Sequence, residues 1–415
     1  MDQTKELQKK IDASNQIVFK KGEYFCGPLF FHSDMEVVFE EGSIFHLSDE
    51  ETDFMKIPTR IAGIEMDGYP ALLNFISCRN VQIHGKGVLL GNGKRWYEKY
   101  WGIDKKGGMR KEYDANGLRW ACDYDCFRPK MILFQNCSDM DISDLTLKDS
   151  PFWNFHILYS SDICARNLTI LSEDENSPST DGIDIDSSHD ISIRDCMIST
   201  NDDAISIKSG RDMDGLRVHQ SSHHIKIEDC IFRYGYGVSI GSELSGGIEN
   251  ITCRNLIFKE SSCGFRIKSS NSRKGYVKNV VLDGLDMLNV KYPIYCYLDW
   301  NRQYNENKLP LDYKGEVPSY WKTLLQLPPS EMKNTEVENL EIQNLYVSQN
   351  RDIGSCLFTF KGFEDSPISC ISIIGVQGVV DEFGTFENCS LPRMENMNVL
   401  VTGLVKTTPG EFDNR

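Results

Sequence analysis

Short runs in which apolar and polar residues alternate recur along most of this chain, and no three-to-four-residue helical period appears between them. The clearest copies begin at Ile163, Ile191, Ile225 and Ile251 and end on Asn167, Asp195, Asp229 and Asn255, residue types suited to turns. Weaker copies begin at Val81, Met140, Val280, Leu340 and Ile371. From Met140 to Val280 successive starts lie 23, 28, 34, 26 and 29 residues apart, a loose period with loops of varying length. A unit of two or three short strands cannot bury its apolar face alone, so it must stack on its neighbours. The pattern therefore predicts an all-β fold, a right-handed single-stranded parallel β-helix running through residues 1–415 as one domain. Two segments break the rhythm. Residues 92–128 are rich in Gly, Lys, Trp, Tyr and Asp, and 300–335 contain Trp300, Trp321 and several prolines; both are expected to wall a site.

The second strand of four successive coils can be aligned by its alternation. The bore then receives Ile183, Ile205, Val238 and Phe265. One outer ladder receives Asp184, Ser206, Ser239 and Arg266, and another receives Asp186, Lys208, Gly241 and Lys268. Trp153, Asn154 and His156 precede these coils, and Tyr295 and Tyr297 follow. One face is thus expected to carry acids, then cations, then aromatics.

Charge narrows the partners. A net charge of −16 and a pI near 5.0 argue against nucleic acid and anionic membrane, which need clustered Lys and Arg. No stretch reaches the roughly 18 apolar residues of a membrane span. The opening residues lack the apolar core of a secretory leader, so a cytoplasmic protein is expected. The 14 cysteines are scattered singly with no C-x-x-C pair, and many fall at apolar strand positions, which reads as buried reduced thiols.

Asp181 falls on the coil before Asp202 and Asp203 at nearly the same lateral position. Stacked carboxyls raise one another's pKa and offer one protonated and one ionised group; an inverting glycosidase needs such a pair about 6.5–9.5 Å apart. Backbone capping at turns and a calcium site are the alternative readings of such a cluster. Arg266, Lys268 and Lys208 lie on the adjoining ladders, a forked guanidinium with ammonium groups beside it, suited to a carboxylate ligand. Trp153, His156, Tyr295, Tyr297 and Asp184 are further candidates to touch a sugar, with core packing the alternative for Trp153. The His223–His224 pair has no other ligand nearby in sequence, which disfavours a metal there, and no cofactor is expected.

Four ordered blocks, Thr180-Asp181-Gly182, Asn201-Asp202-Asp203, Gly235-Tyr236-Gly237 and Arg266-Ile267-Lys268, resemble the NTD, DD, GHG and RIK signature of the polygalacturonase family, glycoside hydrolase family 28. The resemblance implies that Asp202 is the general acid, that Asp181 and Asp203 hold and activate water, and that Arg266 and Lys268 bind a galacturonate carboxylate. It also implies an inverting reaction without metal. Two positions depart from the signature: Tyr236 replaces the family histidine and Ser179 its first asparagine. A phenol, with an ordinary pKa of about 10, cannot exchange a proton at neutral pH as an imidazole can. Family members with long loops like 92–128 tend to be exo-acting, because such loops close one end of the groove. The expectation is a glycoside hydrolase releasing α-linked galacturonate from pectic oligosaccharides. A hydrolase of rhamnogalacturonan or another substituted uronide, a lyase or epimerase, and a non-catalytic carbohydrate-binding β-helix are the alternatives.

Overall fold

In the computed structural model, which describes residues 2–403 apart from 173 and 175, short parallel strands wind into a right-handed β-helix. Eleven strands, from Leu29–Phe31 to Glu382–Glu387, form one face, and a bent nineteen-stranded sheet forms the rest of the wall. The repeat positions Val81, Met140, Ile163, Ile191, Ile225, Ile251, Val280, Leu340 and Ile371 pair consecutively in one continuous ladder. Their inward side chains are buried in a single apolar core running along the bore. The turn residues Asn167, Asp195, Asp229 and Asn255 all have φ between 52° and 56°. Asn and Asp recur there because their short polar side chains tolerate the left-handed region, and they also bond to one another, as Asn255 Nδ2 does to Asp229 Oδ1 at 3.2 Å.

The N-terminal end of the bore is closed by the helix Thr4–Asp12, which buries Leu7 and Ile11 in the same core. Gln8 on this helix accepts from the Phe30 N–H at 2.8 Å and donates to its carbonyl at 2.7 Å, satisfying an otherwise open strand edge. No helix among the described residues is long and apolar enough to cross a membrane. All 14 cysteines are unpaired, and most are buried.

The register of the eleven-stranded face decides where the candidate chemistry goes. Ile183, Ile205, Val238, Phe265 and Ile294 form the inward ladder. His156, Asp184, Ser206, Ser239, Arg266 and Tyr295 form an outward one. Outward does not mean exposed here. Asp184, Ser206 and Ser239 are fully buried, because three insertions cover this face. The first is an antiparallel hairpin, Ile57–Ile61 with Ile64–Gly68, which the repeat analysis did not single out. The second, within 92–128, folds into the helices Lys94–Trp101 and Gly108–Ala115 and two shorter turns. The third carries Arg302–Asn305 and Ser319–Leu324. Trp120 and Trp321 pack edge to face at 5.1 Å in a second apolar cluster that also holds Ile61, Ile64, Tyr124 and Trp153. These tryptophans brace the insertions on one another, while Trp300 and Tyr304 face the cleft.

Burial of one Ile contributes about 1.5–3 kcal/mol, and a bore of stacked side chains cannot readily collapse around a hole. Ile205→Ala is expected to destabilise the protein by about 2–5 kcal/mol, whereas Ser192→Ala, on the outer wall, should change stability by less than about 0.5 kcal/mol. Urea denaturation of both variants checks this; equal midpoints would contradict the inward placement of Ile205.

Candidate active site

Asp181, Asp202 and Asp203 meet on the covered face. Each offers a carboxylate oxygen, and the three oxygens lie within 4.8 Å of one another. Asp181 precedes the strand Ile183–Asp186, and Asp203 opens the next strand, Asp203–Lys208. Gly182 makes the close stacking possible: a Cβ there would lie 2.3 Å from the Ala204 carbonyl oxygen. Gly235, at φ +46°, serves the same purpose on the next coil, where a Cβ would lie 2.3 Å from the Asp202 carbonyl oxygen. The backbone of Asp181 is held from the preceding coil, with Asn154 N and Nδ2 donating to its carbonyl at 2.8 and 3.0 Å. Arg128 Nη1 donates to the Pro178 carbonyl at 2.6 Å and steadies the approach to Asp181.

The three carboxyls have different surroundings. Burial pushes Asp203 up, but Arg266 and Lys268 overcome it and hold this carboxyl well below the usual range. Lys268 Nζ donates to Asp203 Oδ2 at 2.8 Å, and Arg266 Nη2 donates to Oδ1. Arg266 Nε also donates to Ser239 Oγ at 2.7 Å, which in turn donates to Asp203 Oδ1 at 2.6 Å. The Arg266 guanidinium lies 3.9 Å from the centre of the Tyr236 ring. Tyr236 therefore seats the cation, a use of an aromatic face that needs no proton exchange.

Asp202 is partly exposed at the cleft floor, and desolvation and the Asp203 charge raise its carboxyl. Asp181 is raised further, by burial and by the charges of Asp184 and Asp202. Lys208 opposes this. Its Nζ lies 3.6 Å from Asp181, 3.4 Å from Asp184 and 3.6 Å from Glu243; burial lowers its pKa, but the charges of these acids outweigh that and raise it well above the usual range. Glu243, which follows the Ile240-Gly241-Ser242 stretch, was not among the sequence candidates. Burial raises it, but Lys208, Arg273 and Arg211 bring it down to about 2.

Around the triad opens a cleft. Trp153, Lys208, Tyr236, Arg266 and Lys268 line it. Trp153 is only 3% exposed, stacked on Phe152 at 4.8 Å, so it is both core and cleft wall. Other sequence candidates lie elsewhere. His156 is fully buried beneath the cleft, bonded through Nδ1 to Lys130 Nζ at 2.8 Å, and burial with that neighbour lowers it to about 3. The hairpin roofs it, with Arg60 donating to Asp186 at 2.8 Å beside it. Asp184 is likewise fully buried behind Lys208, and burial raises it to about 7. Tyr295 follows Arg266 on its ladder, half-buried against Tyr292 and Tyr297 and beyond the deepest part of the cleft. His223 and His224 lie on the opposite, exposed wall. The structure adds His189 and Asp190 to them, but among the described residues only Asp181, Asp202 and Asp203 gather three such ligand atoms.

These opposed shifts have opposite consequences for stability. Asp181, raised in the fold, stabilises only where it is protonated, and its burial becomes more unfavourable as pH rises above the unfolded value of about 3.9. Asp203, depressed, contributes stability above that value and loses it as pH falls toward its folded pKa. Asp181→Asn is therefore expected to raise the melting temperature, more at pH 8 than at pH 5, and Asp203→Asn to lower it by leaving Arg266 and Lys268 uncompensated. Thermal melts at both pH values decide; shifts of the same sign for the two variants would contradict the electrostatic assignment.

Comparison with known proteins places this arrangement. The model of Glycosyl hydrolases family 28 matches residues 33–312. A probable polygalacturonase of Vitis vinifera is 33% identical over 227 residues, covering 54% of this chain and 42% of that protein. An endo-polygalacturonase of Pectobacterium carotovorum subsp. carotovorum is 28% identical over 295 residues, covering 69% of this chain and 66% of that protein. The chain spans about two fifths of the length of the first curated relatives it matches. Among solved structures, a hyperthermoactive exopolygalacturonase from Thermotoga maritima superposes with a TM-score of 0.78 at 22% identity, covering 97% of this chain and 89% of that one, which shows a shared fold. With a family match over most of its length, the chain belongs to glycosyl hydrolases family 28.

Proposed function

We propose that this protein is a glycoside hydrolase that releases α-linked galacturonate from the end of pectic oligosaccharides, with inversion at the anomeric carbon. The observation that carries the reading is the electrostatic split on the cleft floor. Asp203 is kept ionised by two cations, and Asp202 beside it is pushed toward its protonated form. Such a pair performs acid and base work at the same pH. In the proposed reaction Asp202 gives its proton to the departing glycosidic oxygen as the bond from that oxygen to the anomeric carbon breaks. A water molecule forms the new bond to that carbon and yields its proton to Asp203. The carboxylate oxygens lie within 4.8 Å of one another, closer than the roughly 6.5–9.5 Å expected of an inverting pair, but two hydrogen bonds through one water span up to about 5.5 Å, so they can share it. Asp181, itself raised, orients that water together with Lys208.

Arg266 and Lys268 retain donors beyond those that Asp203 takes, and both line the cleft, which suits the carboxylate of a uronate. Exo action is favoured by the insertions, which bring Ala62, Arg119, Trp300 and Tyr304 to the cleft as walls. A calcium ion at the aspartates is disfavoured by Lys208, Lys268 and Arg266, whose charges already answer the carboxylates.

Mass analysis of products from digalacturonate, trigalacturonate and rhamnogalacturonan fragments tests the reading. Monomeric galacturonate is expected from the first two, with the inverted anomer appearing first by NMR. Asp202→Asn should lower kcat by about 100- to 10,000-fold. An unsaturated product, the retained anomer, or full turnover by Asp202→Asn would each overturn a stated part of the proposal.

The pH profile supplies a second test. Removing a cation raises the pKa of the carboxylate it held, so less of Asp203 is ionised at low pH. Arg266→Gln is expected to move the acid limb of kcat/KM to higher pH; an unmoved limb would exclude Asp203 as the base.

A further inference from the structure

The cleft is lined by four cations, and three of them are answered by carboxylates on the floor: Lys208 by Asp181, Asp184 and Glu243, and Arg266 and Lys268 by Asp203. The fourth, Arg119, comes from the 92–128 insertion, on the short turn Arg119–Ala121. Its Nη1 donates to Asp123 Oδ2 at 2.7 Å. Asp123 has a second cation, Arg128 Nη2, 3.5 Å from its other oxygen. Two guanidinium groups thus share one carboxylate, which leaves a surplus positive charge at the wall in a chain of net charge −16. The Arg128 side chain is fully buried, whereas that of Arg119 is 14% exposed and lines the cleft. Only Arg119 of the two cations can deliver that surplus to a ligand.

We propose that Arg119 is a specificity-determining residue that grips the carboxylate of the terminal uronate, where the insertions close the cleft. Arg119 is built for such a grip. Its guanidinium lies 5.2 Å from the centre of the Tyr304 ring, and Arg211 lies 4.3 Å from the same ring. A guanidinium seated on an aromatic face keeps its N–H edge for a planar anion. The seat is fixed by bonds that tie the insertions to one another and to Arg211. Arg211 donates to Tyr124 Oη at 2.9 Å and to the Tyr304 carbonyl at 2.6 Å, and Trp120 Nε1 donates to the Lys308 carbonyl at 3.0 Å. Tyr124 Oη donates to the carbonyl of Ala62 at the hairpin turn at 2.9 Å. The floor cations then serve one uronate and Arg119 serves its neighbour at the closed end, so the ligand class is an oligouronide with a free carboxylate on its terminal residue.

This inference rests on the proposed hydrolysis of galacturonides, and the test separates the two. Wild type, Arg119→Gln, Arg119→Lys and the neutral pair Arg119→Gln/Asp123→Asn are assayed on trigalacturonate and on trimers methyl-esterified at one terminal carboxyl or the other. Digalacturonate binding is measured by calorimetry. The double variant guards against misfolding from an Asp123 left with Arg128 alone. Arg119→Gln and the double variant should lose about 10- to 100-fold in kcat/KM on the free trimer, mainly through KM, with Arg119→Lys recovering part of it. Esterifying one terminal carboxyl should impair wild type by a similar factor and leave Arg119→Gln indifferent. If Arg119→Gln binds and cleaves as wild type does, or if its loss and the ester's loss simply multiply at both ends, the inference fails while the hydrolase reading stands. Wild type that neither binds nor cleaves any galacturonide would instead overturn the hydrolase reading.

Discussion

In-register stacking of parallel coils sets every outward side chain about one strand spacing, roughly 4.8 Å, from its counterparts on the coils before and after. Where the face is covered from solvent, a charge on one coil must be answered by a neighbour, because burial removes the water that would otherwise screen it. On the covered face the answers are Lys208, shared by Asp181, Asp184 and Glu243, and the pair Arg266 and Lys268, both on Asp203. Acids crowded this closely push one another toward the protonated form. With the cations in place they divide, Asp203 toward the ionised form and Asp181 and Asp202 toward the protonated one.

The insertions turn this ladder of charges into a site. A bare β-helix face would be washed by solvent, and its ion pairs would be screened. The hairpin and the two helical insertions bury the flanks, so Asp184 and Arg60 are fully buried and Arg266 nearly so. The same apolar cluster that packs Trp120 against Trp321 aligns Arg119 and Tyr304 toward the cleft. Packing of the insertions and the placement of Arg119 at the cleft thus have one structural origin.

Tyr236 illustrates how a ladder changes what a substitution means. At a position where the family signature carries an imidazole, its ring lies under the Arg266 guanidinium. The aromatic face supports the cation that holds Asp203 ionised, so what the residue contributes here is the placement of a charge. Asp181 extends the same logic. Its unfavourable burial is the kind of local strain that a catalytic cleft retains against the stability of the rest of the fold.

The amino-acid sequence alone determined the solenoid, its register and the meeting of the three aspartates with Arg266 and Lys268. Alternation of period two and a turn residue at each coil's end are local signals, and stacking turns them directly into neighbours in space. Only the tertiary structure decided what covers the face. The hairpin carrying Arg60 and Ala62, the position of Arg119 and Asp123, and the burial of His156 and Asp184 follow from packing between segments far apart in the chain. Such contacts leave no period in the sequence, because a side chain's partner across an insertion is set by loop length and shape rather than by the spacing of residues along a strand.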